Sequence, residues 1–518
     1  MVRTIGAASV AGLEVRRVRV EVSIRRGTPM IQIVGLAQSA VREGCERIRA
    51  AATQLGLHVP GLRITVNLAP ADIPKQGSAF DLPITLGILA AAGEIPMTRI
   101  EGSVIMGELG LDGALRPVRG ALPIALHAAR DPAVTRLILP LSNVREASVA
   151  PIEVLGADSL GQLIRYLKVG AALPDTPPPE ARTSERRSGG LGLESVRGQG
   201  AAKRALEIAA AGAHNLLLSG VPGSGKTSLA RCVPGLLPDL TLEEAVEVTA
   251  IHSVAGLLPE NSGLLRTRPF RAPHHTVSRS GLIGGGGIPR PGEVSLAHHG
   301  VLFLDELPGF GQAGLDALRE PLEEGEVHIV RARAAARFPA RFILVAAMNP
   351  CPCGHLGDER RCRCPEGAVG RYLGRVSGPF LDRIDLRVDV PAVTWTELGE
   401  PAGDGVEDTA AVRDRVVAAR ELAGRRAPAT AGRGARRGTP VANAALGPGE
   451  LEGVCRPDRA ARAILRLAVE RFGLSARGYH RTLRVARTIA DLSGRDRVTE
   501  ECVAEAIRYR GPDFARVA

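Results

Sequence analysis

A glycine-rich segment near the middle of the chain carries the residues with the clearest chemistry. It reads Gly220-Val-Pro-Gly-Ser-Gly-Lys226-Thr227 and lies between an apolar run and a segment with a helical pattern. In this strand–loop–helix context, backbone N–H groups and the lysine hold nucleotide phosphates, and the threonine hydroxyl holds Mg²⁺. The sequence therefore predicts that the chain binds ATP and Mg²⁺. The predicted contact residues are Gly220, Val221, Pro222, Gly223, Ser224, Gly225, Lys226, Thr227 and Ser228.

Two apolar runs farther along the chain end in polar residues that suit the same chemistry. Residues 301–304 lead into Asp305 and Glu306, and the run that begins at Phe342 leads into Asn349. Ligands of open α/β sheets bind at the carboxyl ends of the strands, so these side chains should meet the phosphate loop. Asp305 is predicted to support Mg²⁺ and Glu306 to polarise the attacking water. Asn349 resembles, by its place after the strand, a sensor-1 residue that reads the γ-phosphate.

Four cysteines form two close pairs, Cys351 with Cys353 and Cys362 with Cys364. Four thiolates can hold Zn²⁺ in a tetrahedral site. The C-x-C spacing is tighter than the usual C-x₂-C, so spare reduced thiols explain the pattern equally well. Both interpretations stay open at this stage.

A basic segment precedes Asn349. Residues 325–339 read as a β-hairpin whose tip carries Arg331, Arg333 and Arg337, with small alanines between them. Such a tip is either a solvated surface or a contact for the phosphate backbone of DNA, which arginine binds without reading sequence.

The composition restricts the class of protein. The 518 residues suggest roughly three domains. The net charge of +11 rests almost entirely on arginine and is compatible with a nucleic-acid partner. We expect no secretory signal, because residues 1–11 lack a long apolar core. We expect no membrane span, because no apolar run reaches about 18 residues. Eight cysteines in so long a chain do not indicate a disulfide scaffold, so a cytoplasmic protein is expected.

The pattern of strands and helices divides the chain. Residues 1–170 mix both without a phosphate loop and predict a separate α+β domain. The Pro-, Ser- and Gly-rich residues 171–190 predict a linker. Residues 191–392 should form a P-loop α/β domain with a parallel sheet. Residues 393–518 should form a further linker and a helical C-terminal lid.

A resemblance appears in the first domain, at the segment that runs from Asn67 to Pro83. It looks like the catalytic domain of Lon proteases, a fold shared with domain 2 of ribosomal protein S5. The position of the Lon nucleophile falls on Ala79, with Ser78 one residue early, and the position of the catalytic lysine falls on Ile124. A serine without a base beside it is a weak nucleophile, so a non-proteolytic relative is expected.

The chain as a whole resembles the ComM/YifB family of bacterial magnesium-chelatase-like AAA+ ATPases. The resemblance rests on the first domain and on the segments Ala-Pro-His-His-Thr, Leu-Asp-Glu-Leu-Pro, Met-Asn-Pro-Cys-Pro-Cys-Gly-His and Arg-Val-Ser-Gly-Pro-Phe-Leu-Asp-Arg-Ile-Asp-Leu. It implies that Arg383 is an arginine finger acting in trans and that the hairpin points into a ring pore. Asn349 matches a sensor-1 residue, and Arg477 matches a sensor-2 arginine that contacts the γ-phosphate.

The family implies a homo-hexameric DNA motor that migrates branched structures when a transforming strand is integrated. Its predicted partner is single-stranded or branched DNA. One alternative is the ATPase motor of a chelatase-like or protein-remodelling complex. A second is an ATP-dependent peptidase, against which Ala79 and Ile124 argue.

Overall fold

The computed structural model describes residues 2–35, 39–57, 60–73, 75, 77–174, 191–287, 289–331, 334–365, 367–395, 408–426 and 442–510. The first domain is a mixed seven-stranded sheet in the order β3-β4-β2-β1-β5-β8-β9. The strands are β1 (Val2–Ala11), β2 (Glu14–Arg25), β3 (Met30–Val34), β4 (Arg63–Ala69), β5 (Ser103–Ile105), β8 (Arg136–Pro140) and β9 (Glu153–Ala157), beside the small hairpin β6 (Glu108–Leu109) and β7 (Leu115–Arg116). The helices are α1 (Ser39–Gln54), α2 (Asp81–Ala92), α3 (Ala121–Ala128), α4 (Leu141–Ala147) and α5 (Leu160–Val169).

The second domain is built on five parallel strands in the order β11-β14-β17-β10-β18. They are β10 (Leu216–Gly220), β11 (Phe270–Arg271), β14 (Val301–Leu304), β17 (Ile343–Met348) and β18 (Leu386–Val390). Because all five run the same way, their carboxyl ends meet at one end of the sheet. The helices are α6 (Gly200–Gly212), α7 (Lys226–Leu236), α8 (Leu242–Ala255), α9 (Arg279–Ile283), α10 (Glu293–Leu296), α11 (Gly311–Ala317), α12 (Arg319–Glu324), α13 (Ala368–Leu373) and α14 (Gly378–Leu381). Two hairpins project from the sheet, β12 (Gly284–Gly285) with β13 (Arg290–Pro291), and β15 (Glu326–Arg331) with β16 (Ala334–Pro339).

The C-terminal part is helical. It comprises α15 (Thr409–Arg426), α16 (Pro448–Cys455), α17 (Arg459–Phe472), α18 (Ala476–Leu492) and α19 (Glu500–Arg508). Alternation along β10 divides the core, since Leu216 and Leu218 pack with the C-terminal helices while Leu217 packs on the opposite face of the sheet. The predicted fold class, a P-loop parallel-sheet core with a helical lid after an α+β domain, is confirmed. None of the helices within the described ranges has both the length and the apolar character that a bilayer crossing requires.

The contacts of the first domain with the second include two that fix its docking. The β1–β2 turn carries Leu13 into the core beneath the β15–β16 hairpin. At Gly12 a Cβ would lie 2.8 Å from the Cβ of Ala336, so the turn rests directly on β16. The second contact joins α3 to α8, where the N–H of Gly120 donates to the carbonyl of Ser253 at 3.3 Å.

Candidate active site

The glycine-rich loop joins the carboxyl end of β10 to the first turn of α7. Gly223 and Gly225 have φ of 77° and 90°, in the left-handed region that favours glycine. Gly220 is required for a different reason, because a Cβ there would lie 2.2 Å from the carbonyl oxygen of Val390. The tight pairing of β10 with β18 therefore sets where the loop begins. Predicted contacts Val221, Pro222 and Ser224 lie in the loop, and Ser228 lies in the first turn of α7.

The structure brings Lys226 and Asn349 together. The Nζ atom of Lys226 donates to the carbonyls of Gly220 at 2.8 Å and Val221 at 2.9 Å, and to Oδ1 of Asn349 at 3.1 Å. Burial lowers the pKa of Lys226, and the nearby Asp305 carboxylate opposes that shift. A cation held between β10 and β17 by neutral oxygens can exchange those partners for phosphate oxygens.

Thr227 and Asp305 form the second contact of the site. The Thr227 hydroxyl donates to Oδ2 of Asp305 at 2.8 Å, and the N–H of Glu306 donates to Oδ1 at 2.9 Å. Mg²⁺ takes oxygen ligands and keeps several waters, so one hydroxyl and one carboxylate at adjacent strand ends suit it. These are the two residues that could hold Mg²⁺ here.

Glu306 projects from the same strand end. Its φ of 51° is unusual for a residue other than glycine, and its side chain is 68% exposed. Its Oε2 atom lies 3.2 Å from Nδ1 of His275, which follows β11. Sequence reasoning missed His275 as a partner of this carboxylate. The missing information was the order of the strands, which places β11 beside β14.

Arg383 lies at the opposite end of the sheet. Asn215, immediately before β10, donates its side-chain N–H to the carbonyl of Arg383 at 2.9 Å. The five-residue strand β10 then spans roughly 15 Å before the phosphate loop begins. The Arg383 side chain is 9% exposed and forms an ion pair with Glu323 of α12. Its Nε atom has no hydrogen-bond partner among the described residues. The finger candidate therefore lies far from the phosphate loop of its own chain.

Arg477, in the first turn of α18, lies at that same end. One turn later, Arg481 donates to the carbonyl of Ile384 at 3.1 Å and to Oδ1 of Asp382 at 3.1 Å. Burial lowers the pKa of Arg383, and the positive charges of Arg319 and Arg477 act in the same direction. Arg477 is thus grouped with Arg383 and not with Lys226. Arg319, on α12, was not singled out from the sequence.

The structure of the β15–β16 hairpin differs from the prediction in the position of one arginine. Arg331 ends β15 beside the turn and is exposed, while Arg333 lies outside the described residues. The placement of Arg337 at the tip is wrong, because Arg337 lies opposite His328, three residue pairs below Arg331. Its guanidinium forms an ion pair with Glu326, which holds it against the hairpin strands. Sequence spacing could not fix this register.

The four cysteines converge. Their sulfur atoms all lie within 4.8 Å of one another. Cys353 Sγ lies 3.4 Å from that of Cys351, 3.7 Å from that of Cys362 and 3.4 Å from that of Cys364. Sulfurs around a tetrahedral Zn²⁺, with Zn–S bonds of about 2.3 Å, are separated by about 3.8 Å. The donor set therefore fits zinc.

A second group, Glu247 with His298 and His299, fits a metal poorly. The Glu247 carboxylate lies 3.1 Å from Nε2 of His298 and 2.9 Å from Nε2 of His299. Nδ1 of His298 accepts the N–H of Arg341 at 3.0 Å, so Nε2 carries the ring proton and donates to Glu247. A protonated nitrogen offers no lone pair to a metal, which leaves this group as a packing contact at the start of β14.

Comparison with known families agrees with this layout. The signature described as "Magnesium chelatase, subunit ChlI" matches residues 192–398, which contain the phosphate loop, the acidic strand end and the cysteines. The signature "Subunit ChlI of Mg-chelatase" matches residues 20–143 of the first domain. The signature "Magnesium chelatase, subunit ChlI C-terminal" matches residues 406–510, the helical part.

Individual relatives extend the match to nearly the full length. Competence protein ComM of Haemophilus influenzae is 43% identical over 96% of this chain and 95% of its own length. The uncharacterized protein YifB of Escherichia coli is 43% identical over 97% of this chain and 96% of its own. The magnesium-chelatase 38 kDa subunit of Rhodobacter capsulatus is 30% identical, over 30% of this chain and 50% of its own. The chain therefore belongs to the ComM/YifB family of magnesium-chelatase-like AAA+ ATPases.

Proposed function

We propose that the chain is an ATP-driven DNA motor that works as a homo-hexameric ring and migrates branched DNA while a transforming strand is integrated. The observation that carries the proposal is the division of the ATPase groups between opposite ends of one sheet. Lys226, Asp305 and Glu306 lie at one end, and Arg383 lies at the other. The DNA substrate is supported by the close likeness to a protein named for competence.

Within one chain, the C-terminal end of the sheet binds the nucleotide. ATP supplies the phosphoanhydride bond whose hydrolysis drives the motor. Lys226 exchanges its carbonyl partners for the outer phosphate oxygens, and Thr227 and Asp305 hold Mg²⁺. Glu306 orients the attacking water, and Asn349 contacts the γ-phosphate. The short contacts among Lys226, Asn349, Thr227 and Asp305 support these roles.

Between chains, the opposite end of the sheet completes a neighbour's site. The guanidinium of Arg383 cannot span the length of β10 to its own phosphate loop. Two or more chains arranged head to tail would bring Arg383 and Arg477 of one to the γ-phosphate of the next. Such heterologous contacts form a closed ring when the rotation from one chain to the next divides a full turn evenly. A closed ring is the assembly that would place several β15–β16 hairpins around one axis.

The decisive experiment compares ATPase rates without DNA, with single-stranded DNA and with forked DNA, alongside strand displacement. Stimulation by forked DNA together with displacement is expected. An ATPase that ignores DNA would instead favour a motor for a chelatase-like or protein-remodelling complex, as the names of the family signatures allow. The peptidase alternative is disfavoured because Ile124 is buried in the core of the first domain at 1% exposure and supplies no base.

The hairpin is our candidate for the DNA contact. Replacing Arg331, Arg333 and Arg337 by Ala should flatten the dependence of DNA affinity on salt, because each lost phosphate contact removes roughly 0.7 from the slope on single strands. Nucleotide binding should change little. A matched control removes the same charge from the exposed face of α17, through Arg459, Arg462 and Arg471. Unchanged salt slope and unwinding in the hairpin variant would exclude the hairpin from the DNA path.

The cysteine group is our candidate for Zn²⁺. Cys351, Cys353, Cys362 and Cys364 would supply four thiolates in a closed structural site. Elemental analysis of protein purified without chelator should give one zinc per chain. Negligible metal in freshly reduced protein would leave these residues as plain thiols.

A further inference from the structure

The cysteine loop lies directly on the phosphate loop. Gly354, between the two cysteine pairs, has φ of 82°. A Cβ at Gly354 would lie 2.3 Å from Cδ and 2.7 Å from Cγ of Pro222. Only glycine allows this approach, so the backbone that follows Cys353 is packed against the ring of Pro222 in the phosphate loop.

The same loop begins at the γ-phosphate contact. Asn349 is separated from Cys351 by a single proline, and Cys351 is fully buried. Oδ1 of Asn349 accepts a hydrogen bond from Lys226 at 3.1 Å. A bond that holds Cys351 in place therefore also restricts the position of Asn349, whose side chain accepts the hydrogen bond from Lys226.

The loop has little regular backbone structure of its own. Residues 351–365 form no regular helix or strand. Their internal backbone hydrogen bonds are turns, such as the N–H of Cys362 to the carbonyl of Asp358 at 2.8 Å. Four bonds from sulfur to a metal would join the two cysteine pairs and fix the segment that touches Pro222 and Asn349.

We propose that the metal held by the four cysteines positions the phosphate loop and Asn349, so that its occupancy controls the affinity for ATP. The inference rests on the zinc site proposed above. It adds that the zinc site positions residues that bind ATP, in addition to stabilising a surface loop.

The test separates metal binding from the contact with the phosphate loop. Gly354→Val leaves all four thiolates in place but forces the loop away from Pro222. Cys362→Ser combined with Cys364→Ser removes two ligands. Cys45→Ser, in the first domain, is the matched control. For each protein the zinc content and the affinity for a fluorescent ATP analogue are measured, with circular dichroism to verify the fold.

The double cysteine variant should lose zinc, and its nucleotide affinity should fall at least about tenfold, as expected when a charge-assisted contact to phosphate is misplaced. Gly354→Val should keep zinc and show a similar fall, and Cys45→Ser should change neither quantity. Removing zinc from the unmodified protein with a zinc-selective chelator should weaken nucleotide binding, and added zinc should restore it.

The two proposals fail in different ways. If the reduced unmodified protein holds no zinc, both the metal site and this inference are wrong. If zinc is present but its removal leaves nucleotide affinity unchanged, the metal site stands and the positioning role is overturned. Normal nucleotide affinity in Gly354→Val would also overturn that role.

Discussion

The two ends of the parallel sheet are built differently. At the C-terminal end, Lys226 donates a hydrogen bond to the carbonyl of Gly220, and Thr227 donates one to the carboxylate of Asp305. At the N-terminal end, Arg383 and Arg477 lie together, and their charges repel. One end thus groups side chains that suit phosphates and Mg²⁺, and the other groups cations that lie a strand's length away. In the proposed ring, these two ends would be the unlike halves of one site, each supplied by a different chain.

Each half also holds its main cation with an internal partner. Lys226 is held by carbonyls and Asn349, and Arg383 by Glu323. The Arg383 side chain is more than nine-tenths buried, but Glu323 is 51% exposed, so this ion pair faces the surface on one side. An incoming phosphate would have to replace Glu323 as the partner of Arg383.

The largest effects are expected from substitutions at the C-terminal end of the sheet. Lys226→Ala should lose nucleotide binding, because a buried cation that faces the phosphates is removed. Glu306→Gln should keep binding and lose nearly all hydrolysis, because the carboxylate acts on water and not on phosphate. Equilibrium binding and steady-state ATPase assays distinguish the two. Hydrolysis at the normal rate in Glu306→Gln would contradict its assignment.

The next effect tests the N-terminal end. Arg383→Ala should lower the ATPase rate by about 10³-fold, the scale known for arginine fingers, while nucleotide affinity stays close to normal. Mixing Arg383→Ala chains with Lys226→Ala chains should restore part of the activity, because some interfaces then combine two intact halves. Absence of rescue in rings shown to contain both chains would argue that the two ends do not meet.

Sequence reasoning predicted the C-terminal end almost completely. The phosphate loop and the acidic strand end each need only neighbours along the chain and a parallel sheet, so local pattern was enough for Lys226 and Asp305. The fold class followed from the same patterns. The first domain was predicted as α+β because its strands and helices alternate without a phosphate loop.

Sequence reasoning was weaker wherever distant segments meet. His275 reaches Glu306 only because β11 is the neighbour of β14 in the sheet. Arg477 lies beside Arg383 only because α18 docks at the N-terminal end of the sheet. Arg337 lies away from the hairpin tip because of the strand register. None of these three placements can be predicted from the residues that neighbour them in the sequence.

A smaller effect is expected at Arg477. If it serves the same neighbouring nucleotide as Arg383, Arg477→Ala should slow hydrolysis by roughly 10- to 100-fold, the value of one charge-assisted hydrogen bond. It should also be rescued by Lys226→Ala chains in mixed rings. Arg471→Ala, an exposed arginine on α17, is the matched control and should be nearly silent. If Arg477→Ala is not rescued under conditions that rescue Arg383→Ala, Arg477 acts on the nucleotide of its own chain.

The smallest effect concerns His275 at the C-terminal end. Its Nδ1 atom lies 3.2 Å from a Glu306 oxygen, and this contact orients a carboxylate that is otherwise largely exposed. His275→Ala should slow hydrolysis about fivefold, since one hydrogen bond contributes about 1 kcal/mol, and it should leave nucleotide binding unchanged. His274→Ala is the control, because its Nδ1 atom meets the Thr276 hydroxyl at 2.9 Å and not Glu306. In the Glu306→Gln background, His275→Ala should have no further effect on hydrolysis. An additional loss there would mean that His275 acts on something other than Glu306.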